Sequence, residues 1–228
     1  DNFGEDLIFN VRGGGVYYWD ESSGTSVRGV NLSALGGASN TPTAALQALV
    51  SDVDQHVVCF GVNTIGSSTI DPLLVRWSDQ ESAADWTPTS TNTAGGARIN
   101  SGSKIVGAVQ ARQEILIFTD ASLHSMRFVG SPFIFQFSTL STDISMISPK
   151  AAVNARGVVY FMDKGNFYTY NGAVQPLQCS VLDYVFSNIN LGQAYKVFAA
   201  ENNAHSEVTW YYPIGSGDTE ITNYVTYN

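Results

Sequence analysis

Residues 114–130, EILIFTDASLHSMRFVG, set an apolar strand against a second strand across a tight turn, and the chain writes this pattern five times. EDLIFNVRGGGVYYWD (5–20) repeats it with Gly13, Gly14 and Gly15 at the turn, and HVVCFGVNTIGSSTIDPLLVRWSD (56–79) repeats it with a longer connection. GVVYFMDKGNFYTYNG (157–172) turns at Asp163, Lys164 and Gly165, and SEVTWYYPIGSGDTEITNYVTYN (206–228) ends the series. Glycine supplies the positive φ that short hairpin turns require. Aligned on the aromatic of the first strand, Phe9, Phe60, Phe118, Phe161 and Tyr211 stand 51, 58, 43 and 50 residues apart. That spacing is close to the ~40–50-residue period of propeller blades.

Between the hairpins lie further strand patterns: KIVGAVQA (104–111), FIFQFSTL (133–140), KAAVNA (150–155) and KVFAAEN (196–202). They bring each repeat to about four strands, the content of one blade. A single twisted sheet cannot bury both of its faces, whereas stacked copies cover each other. The expected fold is all-β, a β-propeller-like array of antiparallel blades with minor helical insertions. A β-sandwich is the alternative, because its strands also recur every ~8–12 residues between turns. Residues 1–228 read as a single propeller-like domain or part of one. The chain opens on Asp1 and closes inside the strand-like NYVTYN, the look of a piece of a longer polypeptide.

Two segments predict short helices. TPTAALQALVSD (41–52) offers Thr41 as cap with Pro42 in the first turn. SVLDYVFSNIN (180–190) offers Ser180 as cap with Leu182, Val185, Phe186 and Ile189 on one face. The polar stretch TPTSTNTAGGARINSGS (87–103) has no apolar periodicity and predicts an exposed loop after Trp86.

Composition narrows the function classes. Of 228 residues 44% are hydrophobic and only 14% charged, a globular profile. Twenty acidic against eleven basic residues give a net charge of −9, which argues against a protein that grips phosphates. The acidity serves either general solubility or a surface that must not adhere to a passing polyanion. Cys59 and Cys179 lie far apart without a C-x-x-C or Cys/His cluster, so free thiols are expected rather than a zinc site. No apolar run approaches the ~18 residues of a membrane span, and no charged-then-apolar leader opens the chain.

Groupings that carry chemistry are not evident. His56, His124 and His205 flank or lie within strands, without a nucleophile motif nearby. No G-x-S-x-G elbow occurs, and Gly13–Gly15 precede neither G-K-[ST] nor a helix, so a hairpin turn accounts for them. Asp20, Asp79, Asp120, Asp163 and Asp183 are candidates for a glycosidase pair. The first four sit at turns or strand ends, where Asp commonly bonds its own backbone. The sequon at Asn31 has meaning only for a protein secreted by a eukaryote. The expectation is no enzyme, no cofactor and no metal.

The succession VRWSD (75–79), DWTP (85–88), SGSKIVGAV (101–109), EILIFTDASLHSMRFVGSPFIFQF (114–137), GVVYFMDKGNFYTYNG (157–172), LQCSVLDYVF (177–186) and KVFAAENNAHSEVTWYYP (196–213) resembles the tail nozzle proteins of short-tailed bacteriophages, also called tail tubular protein B. The likeness runs over roughly residues 50–228 and is looser before that. It implies a non-enzymatic virion component of the tail, assembled in the bacterial host cytoplasm. Its copies would form a homo-hexameric ring beside the tail adaptor and tail fibre proteins, with DNA passing transiently through the channel and no membrane insertion by this segment. This chain is shorter than a whole nozzle protein. A ring needs subunit contacts, for which Trp19, Trp77 and Trp86 are the aromatic candidates, each otherwise a member of a blade core.

Overall fold

A computed structural model describes residues 1–217 and 219–228. Among them the chain is all-β, built as antiparallel sheets whose strands follow one another in sequence order. Sheet I comprises β1 (Asn2–Phe3), β2 (Asp6–Asn10), β3 (Val16–Trp19) and β4 (Val30–Asn31). Sheet II comprises β5 (Ala45–Val50), β6 (Val57–Asn63), β7 (Ile70–Trp77) and β8 (Gly95–Arg98). Sheet III holds β9 (Ile105–Gln110), β10 (Ile115–Thr119), β11 (Leu123–Gly130) and β12 (Ile134–Ser141). Sheet IV holds β13 (Ala152–Ala155), β14 (Val158–Met162), β15 (Phe167–Tyr170) and β16 (Val174–Pro176). Sheet V holds β17 (Phe198–Asn202), β18 (Glu207–Tyr212) and β19 (Asn223–Tyr227). All five are up-and-down meanders, the topology of propeller blades.

All five sequence hairpins form: β2–β3, β6–β7, β10–β11, β14–β15 and β18–β19 pair antiparallel. The helical insertions are minor. α1 (Leu182–Asn188) falls inside the expected 180–190 segment with Val185 buried, but its N-cap is Val181, without a side-chain cap bond, and not the expected Ser180. The expected helix at 41–52 is instead β5, which pairs with β6 from Ala45↔Val62 to Val50↔Val57. Its good helix formers are overridden by tertiary bonds: Asn10 takes the amide of Ala48 and donates to the carbonyl of Ala45, which also accepts from Gly13 N. The expected loop at 87–103 likewise contributes β8 to sheet II.

The chain divides into two compact units, Asp1–Ile105 with Arg127–Gln136, and Val106–Met126 with Phe137–Asn228. In the first, Ile8, Val16 and Leu32 join Val57, Cys59, Val62 and Trp86 in one core. A bulge interrupts the β6–β7 register between Phe60 and Val62. Gly61 sits there at φ +54, and a Cβ would lie 2.5 Å from Leu46 Cδ1, so only glycine fits. In the second unit, Phe118 meets Phe161 edge to face at 4.9 Å, and Phe167 meets Trp210 at 4.8 Å. Those contacts stack β10 on β14 and β15 on β18, face to face.

Strand burial reports how each sheet is covered. Every residue of β6 and of β10 is buried, as expected of strands covered on both faces. In β2 burial alternates instead, with Ile8 at 1% exposure and Phe9 at 45%. In β18, Trp210 and Tyr212 are buried while Tyr211 is half-buried. Sheets I and V therefore each keep one open face. This explains why the aligned aromatics differ: Phe60, Phe118 and Phe161 are fully buried, whereas Phe9 and Tyr211 point to the open faces.

Candidate functional site

The open face of sheet I carries Leu7, Phe9, Tyr17 and Trp19, placed together because Leu7 pairs with Trp19 and Phe9 with Tyr17. The Phe9 and Tyr17 rings stack at 5.4 Å. Trp19 is half-buried and donates its indole N–H to Val27 O at 2.9 Å. The open face of sheet V carries an aromatic row across three strands. Phe198 stacks on Tyr211 at 4.7 Å, and Tyr211 approaches Tyr224 at 6.1 Å, with Tyr224 68% exposed. One pleat along, the Thr209 and Thr226 hydroxyls share a hydrogen bond of 2.9 Å, and beyond them lie Asn202 and Glu207. Tyr211, Tyr224, Thr209, Thr226 and Glu207 border a groove of about 290 Å³. Val181, Tyr184, Leu191 and Tyr195, around α1 and the turn after it, add further exposed apolar side chains.

Trp77 and Trp86 do not lie on these surfaces. Trp77 is buried, with Phe135 edge-on at 5.0 Å and its indole N–H on Thr93 O. Trp86 is buried in the core of the first unit and donates to Ala83 O at 2.9 Å. Both belong to the blade core, and of the three candidate tryptophans Trp19 alone shares an open face. The sequence signal that locates these faces is strand phase, not tryptophan.

A polar cluster in the first unit has the outline of a catalytic relay. The Asp54 carboxylate accepts from Ser51 Oγ and from His56 Nδ1, and His56 Nε2 lies 3.0 Å from Thr93 Oγ1. Thr93 Oγ1 gives its proton to Asp79 at 2.6 Å and accepts from Gln80 N at 2.9 Å. The hydroxyl is thus committed to a carboxylate, and His56 is fully buried against the rings of Phe128 and Phe135. A buried, satisfied network of this kind fixes local structure. Here it ties the residues before β6 to the connection that leads into β8.

His124 is satisfied in a similar way, with Ser122 Oγ 2.8 Å from Nε2 and Thr139 Oγ1 3.2 Å from Nδ1. Burial holds its pKa below the ordinary 6.5. His205 is exposed in the β17–β18 turn. Of the carboxylates, Asp20 caps a 3-10 turn through Ser22, and Asp163 accepts from Lys164 N at 2.7 Å. Asp183 lies in the first turn of α1. Asn31 caps a second 3-10 turn through Ser33 N. Both cysteines are free, Cys59 buried and Cys179 partly so. Among the described residues no group of three or more His, Cys, Asp or Glu is placed to hold a metal ion, and no helix is long and apolar enough to cross a membrane.

No protein-family model matches the chain, and no curated protein matches it.

Proposed function

We propose that this chain is part of a structural virion protein, a subunit of the oligomeric tail nozzle of a short-tailed bacteriophage, and that it has no enzymatic role. The observation that carries this reading is the pair of open sheet faces. Leu7, Phe9 and Trp19 on one and Phe198, Tyr211 and Tyr224 on the other are apolar surfaces of the sort that mark protein contacts. Two unlike faces suit a heterologous contact, which closes into a ring when its rotation divides the circle. The ordered motifs from VRWSD (75–79) to KVFAAENNAHSEVTWYYP (196–213) supply the tail context. The assembled partners would then be five further copies, the adaptor and the tail fibres.

The charge balance supports the same reading. A conduit for DNA works against every Lys or Arg that faces its bore, since each adds an attraction to be broken as the strand slides. Eleven basic residues against twenty acidic ones suit that duty. Native mass measurement of the full-length polypeptide tests the proposal, with sixfold oligomers as the expected result. Paired Phe9→Ser and Tyr224→Ser variants that stay folded should shift the population toward monomer. A full-length protein that is monomeric at all concentrations overturns the reading.

A second reading, a carbohydrate-binding surface, is favoured by the groove on sheet V. Exposed Tyr224 beside Thr209, Thr226, Asn202 and Glu207 joins a ring for the apolar face of a sugar to donors and acceptors for its hydroxyls. Tyr224→Ala and Glu207→Gln are the informative variants on a glycan array. Trp86 and Asp79 are uninformative there, being a core side chain and an anchor for Thr93.

A further inference from the structure

Thr93 Oγ1 stands where three groups meet, and a hydroxyl has one proton to give and two lone pairs to receive. Asp79 Oδ1 lies 2.6 Å away, Gln80 N 2.9 Å and His56 Nε2 3.0 Å. Gln80 N can only donate. The Asp79 carboxylate can only accept: burial opposes its ionisation, yet hydrogen bonds from the Thr93 hydroxyl and from the Thr93 and Gln80 backbone hold its pKa below the ordinary 3.8. The hydroxyl proton therefore points to Asp79, because two oxygens at that separation with no proton between them repel. What remains for His56 is a lone pair, so Nε2 is the donor.

The other side of the ring carries a proton too. Nδ1 meets Oδ2 of Asp54, whose Oδ1 accepts from Ser51 Oγ. A carboxylate offers no proton to a bare nitrogen, so Nδ1 donates as well. Protons on both nitrogens make the ring an imidazolium. A charge on a side chain with 0% exposure is costly unless it is paired and fully hydrogen-bonded, and both conditions are met here.

We infer that His56 is a buried imidazolium, ion-paired with Asp54, whose Nε2 proton clasps Thr93 and so joins the turn before β6 to the connection that enters β8. Asp54 and Asp79 are the carboxylates of this network. Asp85, whose carbonyl accepts from Asp79 N, has its own carboxylate on Ser39 and Asn92. Asp52, Glu81 and Arg127 are exposed, Arg127 on the face of β11 opposite to Phe128. Phe128 and Phe135 pack against the ring itself. Loss of the Nε2 proton sets two lone pairs against each other, and the Thr93 hydroxyl must then leave Asp79 for Nε2. The clasp is therefore proton-dependent and opens as pH rises, the opposite sense to His124, whose burial favours the neutral ring. The inference is independent of the proposed nozzle role.

Nuclear magnetic resonance of the chain with isotope-labelled histidine tests it at neutral pH, with exposed His205 as the reference for a ring open to water. Both His56 nitrogens should resonate as N–H nitrogens. On raising the pH, the Thr93 and Gln80 amide resonances should move in step with the loss of the Nε2 proton. Asp54→Asn removes the counter-charge, and the ring should then lose its proton at Nδ1 while Nε2 keeps the one it gives to Thr93. Should that variant fail to fold, the spectrum of the unaltered chain decides alone. A bare nitrogen on His56 in the unaltered chain overturns the inference. So does an Asp54→Asn ring that is bare at Nε2, or a pair of amides that stay in place while Nε2 loses its proton.

Discussion

Trp210 donates its indole N–H to the carbonyl of Ala151, 59 residues earlier in the chain, at 3.1 Å. Ala151 immediately precedes β13, so this bond fastens the middle strand of sheet V to the entry of sheet IV. The Phe167 ring 4.8 Å away completes the contact. The side chain, large and polar at its tip, adds to the backbone link between the same sheets, where Lys150 and Phe198 form a parallel bridge and Ala199 N donates to Lys150 O at 2.8 Å.

Trp210→Ala should therefore be among the most damaging single changes in the second unit. It opens a cavity and removes one of the two hydrogen bonds to Ala151 O, the other coming from Met162 N, a loss of about 3–5 kcal/mol. Trp210→Phe keeps most of the ring and loses chiefly the hydrogen bond, about 1–2 kcal/mol. Urea unfolding followed by near-ultraviolet circular dichroism measures both, and equal losses would contradict the assignment.

Gly61→Ala should destabilise by about 2 kcal/mol or more, since the new methyl meets Leu46 and the backbone stays in the left-handed region. Adding Leu46→Ala removes the clash but not the backbone strain. The double variant should recover part of the loss, and strict additivity in denaturant unfolding would count against the bulge geometry.

The phase of β2 can be checked by neighbouring substitutions. Ile8→Ser places a hydroxyl in the core and should cost about 3 kcal/mol or more, whereas Phe9→Ser on the open face should cost about 1 kcal/mol or less. Reversed values from thermal or chemical melts would mean that the strand faces the other way.

Stability should fall on mild acidification, and His124 contributes. Its folded pKa lies below 6.5 because burial disfavours the charged ring, so below 6.5 the unfolded chain binds a proton that the folded chain does not. Stability then drops as pH falls from about 6.5 and levels off once the folded imidazole titrates. His124→Gln should flatten that portion of the melting-temperature profile. A separate loss below pH 3.8 is expected from Asp85, held low by hydrogen bonds from Ser39, Asn92 and Thr87. Its stabilising contribution is present above 3.8 and disappears as pH falls through its lowered folded value.

Much of this architecture is legible in the residues. Apolar strands around turns at Gly13, Asp120 and Lys164 mark the hairpins, because turn chemistry and short apolar runs are local properties. α1 is legible from the helical spacing of Leu182, Val185, Phe186 and Ile189. Residues 45–50 were not: their helix-forming Ala and Leu carry the local signal, while the bonds from Asn10 and Gly13 that hold them extended come from another sheet. The open faces were hidden because a strand covered on both sides, such as β6, and one covered on a single side differ in which neighbours exist, not in which residues they use.

The central proposal is that the blade-like sheets of this chain form a wall segment of a ring. Electron cryo-microscopy of the full-length protein tests it most directly. The account predicts sixfold rings around an open channel, with the apolar faces of sheets I and V buried in protein contacts. Isolated particles without rotational symmetry, with both faces in solvent, would contradict it.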